Sequence, residues 1–120
     1  MRQVINRAAI LVRPKESFAR WASHVCQNAH EVTVEELRKE ATVFMVEAVE
    51  SEDDVERVMR RYSEEIFEFL LWECCSEKDL WPPRRDWETF REWVDADYYR
   101  LVLDLLRDGI KSEEFDEEEG

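Results

Sequence analysis

The sequence predicts an α+β fold: a small mixed three-stranded sheet packed against two main helices plus a short third helix. Three observations predict it. Two apolar runs, Val4 to Arg13 and Thr42 to Val49, have the length and β-branched content of strands. Segments with helical spacing lie between and after them, the longest keeping one apolar face through roughly six turns. A third apolar stretch, from Tyr98 to Leu106, alternates with a period of two. Residues 1–108 are read as one domain and residues 109–120 as an acidic C-terminal tail.

The first strand, 4–13, runs through Ala8-Ala9-Ile10-Leu11-Val12 and stops at Pro14, as a strand buried on both faces would. Phe18, Trp21, Ala22 and Val25 then recur at helical spacing, which predicts a helix over 15–27 with Pro14 near its start. Thr33 and Glu36 match a capping box, so a short helical turn precedes the second strand, 42–49. A helix connects the two strands, so they are expected to be parallel, joined by a right-handed crossover.

Ser51, followed by Glu52, Asp53 and Asp54, opens the long helix 52–73, where acidic side chains complement the dipole. Trp81-Pro82-Pro83 ends helical structure, and Asp86 caps a short helix carrying Trp87, Phe90, Trp93 and Val94. In the segment 97–106, Tyr99, Leu101, Leu103 and Leu105 alternate as in a strand, although Tyr98, Leu101, Val102, Leu105 and Leu106 also fit a helix. Strand is the assignment made.

Only two glycines are present, Gly109 and the terminal Gly120. Phosphate loops, dinucleotide fingerprints, calcium loops and nucleophile elbows all need backbone that only glycine accommodates, so these functions are excluded on steric grounds. No apolar run is long enough to span a membrane and no signal peptide is evident, which points to a cytoplasmic protein without membrane contact. Three cysteines, Cys26, Cys74 and Cys75, form no disulfide framework and fit a reducing compartment.

The net charge is −13. Residues 1–50 are balanced, with seven basic and seven acidic side chains, whereas residues 51–120 carry ten against 23. Such a surface repels a phosphate backbone, so direct nucleic-acid binding is disfavoured. Six of the carboxylates crowd into Glu113 to Glu119, a solvated tail held at most through Phe115.

Few residues are candidates for chemistry. His24, Cys26 and His30 with Cys74 and Cys75 have the ligand types of a zinc site but not its spacing, so no metal and no cofactor is expected. Glu64, Glu65 and Glu68 read as a solvated helix face. Glu47 lies in an apolar strand, where it points outward near the strand end or forms a buried ion pair with Arg7 or Arg13; an acid–base role ranks last. The surface candidates are Trp81, Arg84, Arg85 and Trp87, because stiff prolines lower the ordering cost of binding and Trp and Arg anchor interfaces. The competing reading has the tryptophans pinning the loop to the core and the arginines pairing with Asp79, Asp86 or Glu88.

Asn6-Arg-Ala-Ala9, Arg13-Pro-Lys15, the Phe18 and Trp21 pair, Glu65-Ile-Phe-Glu68, Leu80-Trp-Pro82, and Phe90 with Trp93 together resemble a family of small, acidic bacterial proteins of uncharacterised function. The resemblance covers about residues 4–106. It implies a bacterial cytoplasmic domain of strands and helices, with a strand for the last apolar segment, and it implies no activity.

The expected function is a non-enzymatic protein-interaction domain that uses an aromatic groove or a sheet edge, its partner an unidentified protein or a second copy in a homo-oligomer. The alternatives are a small metal- or carboxylate-dependent hydrolytic enzyme and an acidic nucleic-acid mimic acting on a basic partner protein.

Overall fold

A computed structural model describes residues 1–25 and 33–115. The order of elements is β1 (Arg2–Val4), β2 (Ala8–Pro14), α1 (Glu16–Val25), α2 (Val34–Arg38), β3 (Thr42–Val46), α3 (Glu52–Cys74), a 3-10 turn (Lys78–Leu80), α4 (Trp87–Trp93), β4 (Val94–Tyr99) and β5 (Val102–Asp104). The fold is α+β. A three-stranded sheet has the order β3-β2-β4, and β1 pairs with β5 in a separate two-stranded ribbon.

Every strand pairing is antiparallel, which corrects the expected mixed sheet and the expected parallel pairing of the first two strands. The reason lies in the connection between β2 and β3, which holds two helices rather than a single crossover. Arg38, the last residue of α2, donates from Nη1 to the carbonyl of Pro14, the last residue of β2, at 3.1 Å. The chain is thus returned to the end of the strand it left, and Thr42 starts β3 opposite Val12. A strand that begins beside the end of its neighbour can only run back along it.

Two expected strands are each divided in two. Val4 faces Val102 and Ala9 faces Tyr99, so four residues on one side of the ladder oppose two on the other. The two surplus residues interrupt the ladder as a bulge does and separate the β1–β5 ribbon from the main sheet. The last strand also starts earlier than expected: Val94, assigned to the preceding helix, caps α4 and is the first residue of β4.

The helices cover one face of the sheet. Ala8, Ile10 and Val12 of β2, Val46 of β3 and Val94 of β4 are buried against Phe18 of α1, Val58, Ile66, Phe67, Leu70 and Leu71 of α3, and Phe90 of α4. Phe67 sits at the centre, its ring 6.0 Å from Phe90 and 5.7 Å from Trp93, and Trp93 in turn meets Phe18 and Trp21. Aromatic edges against aromatic faces fill this layer.

Caps set the helix starts. The Ser51 hydroxyl accepts from the Asp54 N–H, the Thr33 hydroxyl from the Glu36 N–H, and the Asp86 carboxylate from the Thr89 N–H at 2.9 Å. Asp86 also accepts from the Thr89 hydroxyl and from Arg84. The Thr89 backbone donor, followed by Arg84 and the Thr89 hydroxyl, holds the Asp86 carboxyl far below the usual carboxylate range.

A carboxyl whose pKa is lower folded than unfolded stabilises the fold above its unfolded value, about 4, and loses that contribution as pH falls towards the folded value. Thermal stability should therefore decline below about pH 4. Asp86→Asn keeps a capping oxygen but no charge, and it should lower the melting temperature at pH 7 while flattening the acid decline. Melting curves from pH 2 to 7 check it, and equal slopes for the two proteins would refute the assignment.

Candidate interaction surface

Among the described residues, no helix lies on the other face of the three-stranded sheet. Ala9, Leu11 and Arg13 of β2, Val43 and Met45 of β3, and Asp95, Asp97 and Tyr99 of β4 share this face, because Ala9 pairs with Met45 and Tyr99, Leu11 with Val43 and Asp97, and Arg13 with Asp95. Val43 is 58% exposed, Met45 49% and Tyr99 51%. The expectation of a first strand buried on both faces holds for only one: Ala8, Ile10, Val12 and Pro14 are buried, and the alternate residues are half-buried.

The exposed apolar surface continues beyond the sheet. Every second residue from Tyr99 onward, Leu101 (63%), Leu103 (49%) and Leu105 (74%), is exposed, and so are Ile5, Leu106 and Ile110. Of the alternating residues read in the sequence, Tyr99 ends β4 and Leu103 lies in β5, and both are exposed, whereas Leu101 and Leu105 lie outside the two strands. A two-stranded ribbon three residues long is marginal in water by itself. The ribbon forms an arm, and the Cα radius of gyration is 15.8 Å, against about 13.6 Å for a compact chain of this length.

The two edges of the sheet differ. The β4 edge carries Asp95 and Asp97, charges of the kind that discourage strand addition. The β3 edge, Thr-Val-Phe-Met-Val, carries no charge and no proline. Between β3 and α3 lies a groove of about 510 Å³, lined by Phe44, Met45, Tyr62, Glu65, Ile66 and Phe69 among others. Phe115 reaches its rim, 5.4 Å from the Phe69 ring and 5.3 Å from the Trp72 ring.

The Trp81 loop has other commitments. Trp81 is buried and donates from Nε1 to the Cys75 carbonyl at 2.7 Å, and Arg85 lies 5.7 Å over its ring. Arg85 also donates to Glu68 and to the Pro82 carbonyl, whereas Arg84, largely exposed, pairs with Asp86. Trp87 stacks on Phe90 between Arg60 and Arg91. Of the four candidate residues the structure brings Arg85 onto Trp81, while Arg84 and Trp87 contact other residues; the arginine partners are Glu68 and Asp86.

Glu47 has an ion-pair partner on α3 rather than Arg7 or Arg13. It accepts from Arg61 at 2.6 Å and from the Tyr62 hydroxyl at 2.9 Å. Its carboxyl lies below the ordinary value, chiefly through its own backbone N–H, then through Tyr62, with the Arg61 charge adding to both. Glu64 and Glu65 are exposed on α3, and Glu68 pairs with Arg85.

Cys74 and Cys75 are half-buried at the C-terminal end of α3. Cys26 and His30 lie outside the described residues, as does the end of the first expected helix at 26–27. Among the described residues no three His, Cys, Asp or Glu side chains converge as a metal site, and no helix is long and apolar enough to cross a membrane. Compared with family models, with curated proteins and with solved structures, the chain matches none.

Proposed function

We propose that the chain is a non-enzymatic protein-interaction domain of a reducing, cytoplasmic setting, docking through the uncovered sheet face and the arm that continues it. The observation that carries this reading is the outward apolar stripe. In a strand packed on one side the outward positions are polar, and here Val43 and Met45 of β3 and Tyr99 of β4 are exposed on the uncovered face, with Leu101, Leu103 and Leu105 exposed in the segment that follows. Contiguous apolar surface of this kind marks an interaction site, whereas single exposed apolar side chains need no explanation. The resemblance to small acidic bacterial proteins supplies no activity that competes with this reading.

The test is the size of the native particle. In a cleared lysate at natural abundance, the wild-type chain should elute from a sizing column in a complex. Met45→Lys with Leu103→Lys should elute as monomer, with a melting temperature close to the parent's, because substitutions at exposed positions usually change stability by about 0.5 kcal/mol or less. Co-elution of the variant with wild type would refute the reading.

A further inference from the structure

We infer that the partner on this surface is a second copy of the chain, each copy laying its β1–β5 arm across the uncovered sheet face of the other. The inference rests on reading that face as a docking surface. Charge identifies the occupant. Residues 1–7 and 100–111, which form the arm and its continuation, carry five Arg or Lys against two Asp, a charge of +3. Residues 8–99 carry twelve basic side chains against 22 acidic, a charge of −10. A basic, apolar arm on a strongly acidic body finds its electrostatic complement in another copy of that body.

Ion pairing differs between the two parts. Among the described residues, six of the twelve body cations, Lys15, Arg38, Arg57, Arg61, Arg84 and Arg85, pair with carboxylates, while Arg13, Arg20, Lys39, Arg60, Lys78 and Arg91 form no ion pair. Arg2, Arg7, Arg100, Arg107 and Lys111 have no salt-bridge partner there, although carboxylates outnumber cations almost two to one. Arg2 and Arg7 reach only the backbone carbonyls of Arg107 and Asn6. On the uncovered face, exposed Asp97 lies opposite Leu11 and likewise forms no ion pair among the described residues. The arm thus offers leucines and five cations without ion pairs, and the face offers apolar side chains with Asp97 between them and Arg13 at one end.

Symmetry and size fit as well. Each copy carries both the arm and the face, so a two-fold axis makes the same contact twice. With the eight side chains of the face, the arm segments comprise fewer than thirty residues, within the roughly 20–30 per side of a specific interface. The marginal ribbon gains a surface to lie on.

Sedimentation equilibrium on the purified full-length chain tests the inference. Wild type should be a dimer. Asp97→Arg alone, and Arg100→Glu with Arg107→Glu alone, should each weaken self-association by about tenfold or more while retaining the parent's circular dichroism. A one-to-one mixture of these two variants should recover a dimer, because each arm then meets a face of opposite charge. Leu101→Glu with Leu103→Glu should give monomer by an independent route. A monomeric wild type at every concentration, or a mixture no tighter than its components, overturns the inference. If wild type is monomeric alone but the lysate complex is still lost with the lysine variant, the partner is a different protein and only the second-copy inference fails. If the lysine variant also keeps its complex, the docking reading fails too.

Discussion

Replacing Phe67 by alanine will destabilise the protein by about 3–5 kcal/mol, the range for removing a large aromatic side chain from a closed core. Phe67 is fully buried, and its ring is wedged between those of Phe90 and Trp93. Its neighbours come from α3 and α4, and the same core extends to the sheet, so no single side chain can swing into the space left behind. Domains of this size are stable by only about 5–15 kcal/mol, so the variant should lose about a fifth or more of its stability. Urea denaturation checks it: the midpoint should fall sharply with the slope unchanged, and a loss below about 1 kcal/mol would mean that this layer repacks freely.

Trp81→Ala should cost nearly as much, for two separable reasons. The indole is buried against the core, and its N–H satisfies the Cys75 carbonyl just beyond the end of α3. Trp81→Phe separates them: it keeps much of the apolar bulk but removes the donor, and should cost about 1–3 kcal/mol through the unsatisfied carbonyl. Arg84→Ala, at an exposed position a few residues away, should change stability by about 0.5 kcal/mol or less. If Trp81→Ala were as mild as Arg84→Ala, the loop would not be anchored as described. The pattern also tells a structural loop from a recognition loop, since an anchor changes melting whereas a recognition residue changes binding alone.

Much of the architecture was legible in local chemistry. Ser51, Thr33 and Asp86 announced their caps because capping needs only a side-chain oxygen and the next turn of backbone, all within a few residues. The long helix was legible for a related reason: its apolar spacing is a property of one segment, independent of what it packs against. The α+β class followed from the order of these segments. Glu47 and the Trp81 loop were recognised as unusual, but their partners, Arg61 and Glu68, lie on α3, and no local spacing points to them.

What the tertiary structure decided depends on contacts distant in sequence. Arg38 on the Pro14 carbonyl turned an expected crossover into an antiparallel return, and the surplus residues between Val4 and Ala9 divided two strands into four. The interaction surface belongs to the same class. Alternation in Tyr99, Leu101, Leu103 and Leu105 predicts a strand, but a period of two cannot say where that strand breaks or whether a side faces helices or solvent. By itself the sequence determined the elements, their caps and the uneven charge. Which face the helices cover, and which is left open to a partner, was decided only when α1, α3 and α4 packed together on one side of β2. Burial is a property of neighbouring elements and is not written into the strand alone.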